Sequence, residues 1–285
     1  MTMRSRCVLL VLAIALAVTA SGCGRKQPKA EGGGRPTQTA AGARVGLFDP
    51  SRAAFFLAGR NGDSVAALSF NLGKASGKLY PIAGDWNGSG VDSVGTWNAA
   101  TGTFSLASRV PATQPDITFA FGPKDSGVYP IAGDWDGDGK AGVGLYVQKT
   151  GKFYLKNKLE AGKPDQEFQF GWKNSQCYPV AGKFDDSGKA TVGIYDTQIA
   201  GTFFIGHGAN GKAAWEFSFG RPKVGAIPIT GDWAHEGRDG VGVYLPKSGQ
   251  FLLKNRPEAG KADLMFNFGP PAAGLWPIAG DWPSK

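Results

Sequence analysis

Three observations in the sequence predict an all-β protein folded as a five-bladed β-propeller of four-stranded blades. A phrase close to Tyr-Pro-Ile-Ala-Gly-Asp-Trp starts at Tyr80, Tyr129, Tyr178, Ile227 and Trp276, which sets Pro81, Pro130, Pro179, Pro228 and Pro277 49 residues apart. A Val-Gly-x-aromatic phrase starts at Val45, Val94, Val143, Val192 and Val241 with the same spacing. Between these markers lie short alternating segments divided by turn signals, with no helical stretch. A fixed period of this length marks a repeat architecture, and four short strands per period fit one propeller blade.

Each element has its own signal. Val143-Gly-Leu-Tyr146 predicts one strand, and Phe153-Tyr-Leu155 a second with two apolar residues on one face. Phe168-Gln-Phe170 predicts a third, repeated at Phe119/Phe121, Phe217/Phe219 and Phe266/Phe268. Tyr129-Pro-Ile-Ala-Gly133 predicts the fourth, placed innermost because the small Ala-Gly pair suits a crowded centre. DGDGK, KTGK, LEAGKPD and GPKDSG supply the turns. The repeats begin on the Val-Gly strand and stop just after the Pro-Ile-Ala-Gly-Asp-Trp strand. The C-terminal strand, Pro277–Trp282, is therefore expected to join the N-terminal blade begun at Val45, Phe55 and Phe70. Closure of this kind removes an exposed edge strand.

Residues 1–22 are set aside as an export signal: Arg4 and Arg6 precede an apolar run, and small residues follow. The segment ends Ala-Ser-Gly-Cys and resembles the bacterial lipobox, which implies lipidation at Cys23 and attachment to a membrane without crossing it. Ala20 stands where that motif usually has leucine. Residues 23–43 read as a flexible tether rich in Gly, Pro, Ala and polar residues, and residues 44–285 as the propeller. The net charge is +8, but the lysines are scattered, so no nucleic-acid partner is expected. Cys177 has no cysteine partner in the propeller, and a monomer is expected.

The combination Pro-Ile-Ala-Gly-Asp-Trp-Asp-Gly-Asp-Gly with Val-Gly-x-Tyr, Gly-x-Phe-x-Leu and Phe-x-Phe-Gly resembles the FG-GAP/VCBS-type repeats of bacterial surface proteins, and more distantly the integrin α-subunit propeller. The resemblance covers residues 44–282 and implies a calcium loop after the innermost strand. Only one loop, with Asp134, Asp136 and Asp138, approaches that pattern, and its ninth position is Gly142. Calcium wants six to eight oxygens. The alternative reading, in which Asp134 caps the backbone N–H groups of its turn, has the stronger support in the residues. The other loops erode further: Lys183 stands where the third should have its first aspartate.

No catalytic activity is expected. Most carboxylates fall in repeat columns (Asp85, Asp134, Asp232 and Asp281; Asp116, Asp165 and Asp263), and columns argue for structure. His207 and His235 lack partners at ligand spacing. Trp172 is different, because Lys74, Pro123, Arg221 and Pro270 occupy its place in the other repeats. An exposed tryptophan beside Lys173 and Asn174 suits stacking on a sugar or anchoring a peptide. Its alternative role is to cover its own blade. With Lys124, Arg221 and Lys223 these residues form the candidate ligand surface, on loops leading into the inner strand. The expected function is a non-catalytic binding or scaffolding module, lipid-anchored at the cell or outer membrane and facing periplasm or exterior, with a glycan or protein ligand. The alternatives are a secreted glycoside hydrolase or lyase with a non-repeating carboxylate pair in a central funnel, and a structural subunit of an envelope assembly.

Overall fold

The structure is a computed structural model that describes residues 42–125, 127–198, 201–207, 212–220, 224–271 and 274–283. The export signal, Cys23, the tether up to residue 41, Arg221 and Lys223 lie outside the described residues.

The described residues form twenty strands in five four-stranded antiparallel sheets. The first blade contains β1 (Arg44–Asp49), β2 (Ala54–Ala58) and β3 (Ala66–Asn71). The second contains β4 (Leu79–Gly84), β5 (Ser93–Asn98), β6 (Thr103–Leu106) and β7 (Ile117–Ala120). The third contains β8 (Val128–Gly133), β9 (Gly142–Val147), β10 (Lys152–Lys156) and β11 (Gln166–Gln169). The fourth contains β12 (Tyr178–Gly182), β13 (Thr191–Asp196), β14 (Thr202–His207) and β15 (Ala213–Ser218). The fifth contains β16 (Ile227–Gly231), β17 (Gly240–Leu245), β18 (Gln250–Lys254) and β19 (Leu264–Asn267). The last strand, β20 (Trp276–Gly280), pairs with β1 through Val45↔Ala279 and Leu47↔Pro277 and completes the first blade. The expected closure is therefore present.

The inner strands β4, β8, β12, β16 and β20 stand side by side around one axis. One backbone hydrogen bond joins each pair of neighbouring blades at the same repeat position. Ala141, Ala190, Asp239, Ala43 and Asp92 donate their N–H to the carbonyls of Asp85, Asp134, Lys183, Asp232 and Asp281, at 2.7–2.9 Å. Ala43 thus belongs to the ring, one residue before the expected start of the propeller. Contact here is close: a Cβ on Gly133 would stand 2.6 Å from the Ala190 Cβ, and one on Gly231 2.8 Å from that of Ala43.

The apolar core lies at the seams rather than within single sheets. Five buried clusters each combine side chains of two adjacent blades, such as Ile131, Trp135 and Tyr146 with Val192 and Ile194. The repeated tryptophans belong to these clusters. Trp135, Trp233 and Trp282 are buried, and each indole N–H donates to a backbone carbonyl. The glycine of the Val-Gly pair is forced by packing: a Cβ on Gly144 would meet Leu155 at 2.7 Å and Ile131 at 2.9 Å. Phenylalanines of the two outer strands stack in every blade, with ring centroids 5.5–5.8 Å apart.

Trp282 is 1% exposed, and its indole bonds to the Ala58 carbonyl beyond the closing strand. Trp282→Ala is expected to lower stability by about 3–5 kcal/mol, as large-to-small core changes do. Urea unfolding measures this, and a loss below about 1 kcal/mol would show that closure does not depend on this side chain.

Candidate functional site

The two ends of the propeller axis have different chemistry. The loops that enter the inner strands lie beside the turns between the second and third strands of the preceding blade. The Asn174 N–H donates to the Lys149 carbonyl at 3.2 Å, and Lys124 packs beside Gly102. On this face an aromatic residue in the first two positions of four inner strands brings its ring over the axis. Tyr80 meets Tyr129 at 5.2 Å and Trp276 at 4.9 Å, and Trp276 also reaches Tyr178 at 6.2 Å. Rings from non-adjacent blades touch, so the cluster closes this end of the axis. The Lys78 ammonium lies 5.4 Å from the Tyr80 ring centroid, a cation–π distance. Burial raises the Tyr80 hydroxyl to about 12, so the cluster is uncharged at neutral pH.

The sequence-predicted ligand residues lie on this face where they are described. Trp172, Lys173 and Asn174 are exposed in the loop between β11 and β12, and Lys124 in the loop between β7 and β8. Trp172 is 48% exposed and stands edge-on against Phe204 at 4.9 Å. Phe204 belongs to β14, so the indole bridges to the next blade instead of covering its own. Asn174 has φ 55°, which turns the loop sharply after the tryptophan. Cys177, which follows in the same loop, is buried as a small apolar residue, and burial raises its thiol to about 11.

The other end holds a cavity of about 610 Å³ that runs along the inner strands from Pro81 and Pro130 to Asp85 and Asp134. Its mouth carries the aspartate column. These carboxylates are directed into their own turns: Asp85 accepts from the N–H groups of Gly88, Ser89 and Gly90, Asp134 from Gly137 and Gly139, and Asp232 from Glu236 and Gly237. The second carboxylate column is also structural, since Asp116, Asp165 and Asp263 accept from the N–H groups of Ser108, Asn157 and Asn255. Lys183, the exception in the first column, extends its ammonium to 3.4 Å from Asp134 Oδ2 across the blade seam.

Two cavity carboxyls were not singled out by the sequence reading. Asp92 and Asp239 occupy the seam position held by Ala43, Ala141 and Ala190 in the other blades. Asp92 Oδ2 accepts from the Asp281 N–H at 2.8 Å, and Asp239 Oδ2 from the Lys183 N–H at 2.7 Å. Burial raises Asp92 to about 6, with the Asp85 and Asp281 charges adding to the rise. Burial likewise raises Asp239 to about 7, with Asp232 and Asp92 adding. The signal was present as an Ala-Asp-Ala-Ala-Asp column at 49-residue spacing, readable once the repeats are aligned residue by residue. His235 is exposed at the mouth with φ 57°.

The loop of Asp134, Asp136 and Asp138 brings one oxygen of each carboxylate within 4.8 Å of the others. The donors nevertheless do not fit a calcium ion. Both Asp134 oxygens accept turn N–H groups, the Lys183 ammonium lies against the same carboxylate, and the ninth position is a glycine buried in β9. Too few oxygens remain for a six-coordinate shell.

No family model and no curated protein matches this chain. Among solved structures it is similar to BBS1N, determined in complex with ARL6DN, at 11% identity and a TM-score of 0.36, covering 80% of this chain and 62% of that one. It is similar to an Agrocybe aegerita lectin that recognises non-reducing terminal N-acetylglucosamine, at 14% identity and a TM-score of 0.40, covering 79% and 62%. AztD from Citrobacter koseri follows at 8% identity and a TM-score of 0.34, covering 82% and 84%. The chain spans less than two thirds of the length of the first two. These likenesses carry no functional argument.

The Asp92 and Asp239 carboxyls set a pH dependence. An unfolded aspartate titrates near ~3.9, whereas Asp92 and Asp239 keep their protons to about 6 and about 7. Over that interval the folded state binds more protons, so this contribution to stability is complete below pH ~4 and is lost as pH rises to about 7. Asp239→Asn keeps an acceptor for the Lys183 N–H and cannot ionise. Its Tm minus that of the wild type is expected to increase by a few degrees between pH 5 and pH 8, and a pH-independent difference would refute the assignment. For the metal, Tm is expected to agree within about 1 °C between calcium and chelator, because binding to the folded state alone would raise it.

Proposed function

We propose that this chain is an exported, lipid-anchored propeller of the FG-GAP/VCBS repeat type that acts as a non-catalytic, monomeric binding module at the cell envelope. Cys23 carries the lipid, residues 23–43 hold the propeller off the membrane, and the ligand is a glycan or a protein. Nucleic acid is not among its partners. The cell membrane or the outer membrane provides the anchor, with the propeller facing periplasm or exterior.

The observation that carries this reading is Trp172. Its indole is half exposed yet held edge-on by Phe204 of the next blade, beside the exposed Lys173 and Asn174. A large ring ordered before the ligand arrives loses little entropy on binding. Exposed Lys74, Lys78 and Lys124 lie on the same face, which suits an acidic glycan or an acidic protein patch.

One observation favours a hydrolase instead. Asp92 and Asp239 interrupt an alanine column and both line the axial cavity, as a symmetry-breaking acid pair would. Against catalysis, each uses one oxygen to accept a main-chain N–H across a seam. The aromatic cluster also closes the far end, leaving the mouth as the way in for a chain end. A structural envelope subunit would retain a protein partner after the basic loops were changed to neutral residues.

A glycan array and a pull-down from envelope extract, both using the full chain, test the reading together. Trp172→Ala is expected to weaken capture about tenfold or more, with an unchanged Tm. Release of reducing ends from a polysaccharide panel, abolished in Asp92→Asn, would replace this reading with the hydrolase.

A further inference from the structure

The axial cavity is independent of the Trp172 surface and has a ligand chemistry of its own. Behind its mouth the wall consists of the inner strands, including Ile82, Ile131, Val180, Ile229 and Ile278. Strands of five or six residues make this shaft roughly 17 Å long. Its volume of about 610 Å³ falls within the usual range for small-molecule sites.

The carboxylates alone would be a solvated rim. Three features make the site more specific. A shaft walled by the inner strands, with Pro81, Ala83, Pro130 and Ala132 among its lining, continues inward from them, the far end is closed by the aromatic cluster, and the collar already accommodates one alkylammonium. That group is the Lys183 side chain, whose four-carbon stem crosses a seam to place its ammonium 3.4 Å from Asp134. Lys183 is one cation among Asp85, Asp92, Asp134, Asp232, Asp239 and Asp281, all of which line the same cavity. The Arg44 guanidinium reaches Asp281 at 3.1 Å.

We infer that the axial cavity binds a second alkylammonium, a small organic cation whose charged head sits among the carboxyls of Asp92 and Asp239 and whose aliphatic stem enters the shaft. An ammonium is suited to this collar because its three N–H donors rotate freely. A metal ion would require oxygens that the turn N–H groups already occupy. The stem contributes through the apolar surface it removes from water.

The charged groups facing Asp92 and Asp239 set the pH response. Asp85, Asp232 and Asp281 oppose their ionisation, and Lys183 favours it. His235, at the mouth, draws Asp281 toward its charged form. A bound ammonium stabilises the carboxylates over the acids, so binding at neutral pH releases protons and affinity rises with pH.

Isothermal calorimetry of the full chain with n-hexylammonium tests the site, with hexanol, hexanoate and ammonium chloride as controls. The expected result is 1:1 binding of hexylammonium alone. The affinity should be about tenfold or more lower at pH 5 than at pH 8, and lower again in the Asp92→Asn/Asp239→Asn double variant. To keep the test independent of the variant's stability, proton release is also measured on the wild type in buffers of different ionisation enthalpy. No binding at millimolar hexylammonium would overturn the inference, as would equal binding of hexanol or hexanoate, or binding without proton release at pH 7. A response to calcium in place of hexylammonium would overturn it in favour of a metal. Loss of glycan capture in Trp172→Ala leaves these results untouched, so the two sites fail separately.

Discussion

The structure depends on how closely five inner strands can approach one another. At each seam a main-chain N–H just before the second strand meets the carbonyl of the residue that follows the neighbouring inner strand. This close approach favours very small side chains between the two backbones. Glycine on one side and alanine on the other meet that condition at three of the five seams. The ring closes because the seam between β20 and the second blade uses the same bond as the rest. A buried N–H without a partner is costly, so one constraint accounts for the glycine column, the alanine column and the closure.

The same constraint explains the two unusual carboxyls. Aspartate at the alanine position places a charge where space and solvent are scarce. The response is a hydrogen bond to the adjacent inner-strand N–H and a proton held well into the neutral range. Retaining that proton to about 6 or 7, against ~3.9 in an unfolded chain, corresponds to a cost of ionisation on the order of a few kcal/mol. Two of five equivalent positions accept this cost, and both open into one cavity.

The opposed ends of the axis follow from the direction of the inner strand. One of its first two residues is aromatic in four blades, and those rings converge and close the axis. Its last residues are Ala-Gly, or Thr-Gly in the fifth blade, followed by a carboxylate or a lysine, which leave the axis open and line it with charge. Every inner strand runs the same way, so the rings gather on one face and the carboxyls on the other. The loops carrying Trp172, Lys173 and Lys124 belong to the aromatic face, and the cavity to the other.

Period, strand count and closure were legible in the sequence because each is encoded by residues repeated at fixed spacing, from Pro81 to Pro277 and Val45 to Val241. The capping role of Asp134 was legible too, since an aspartate before Gly137 and Gly139 has turn N–H groups within reach. Only the tertiary structure showed that Trp172 rests on the following blade, that Tyr80, Tyr129, Tyr178 and Trp276 form one cluster, and that Asp92 and Asp239 share a cavity. Each of these relations joins residues from different repeats across a seam or the axis. Spacing along the chain specifies the content of one blade, but which side chains meet between blades is decided when the ring closes.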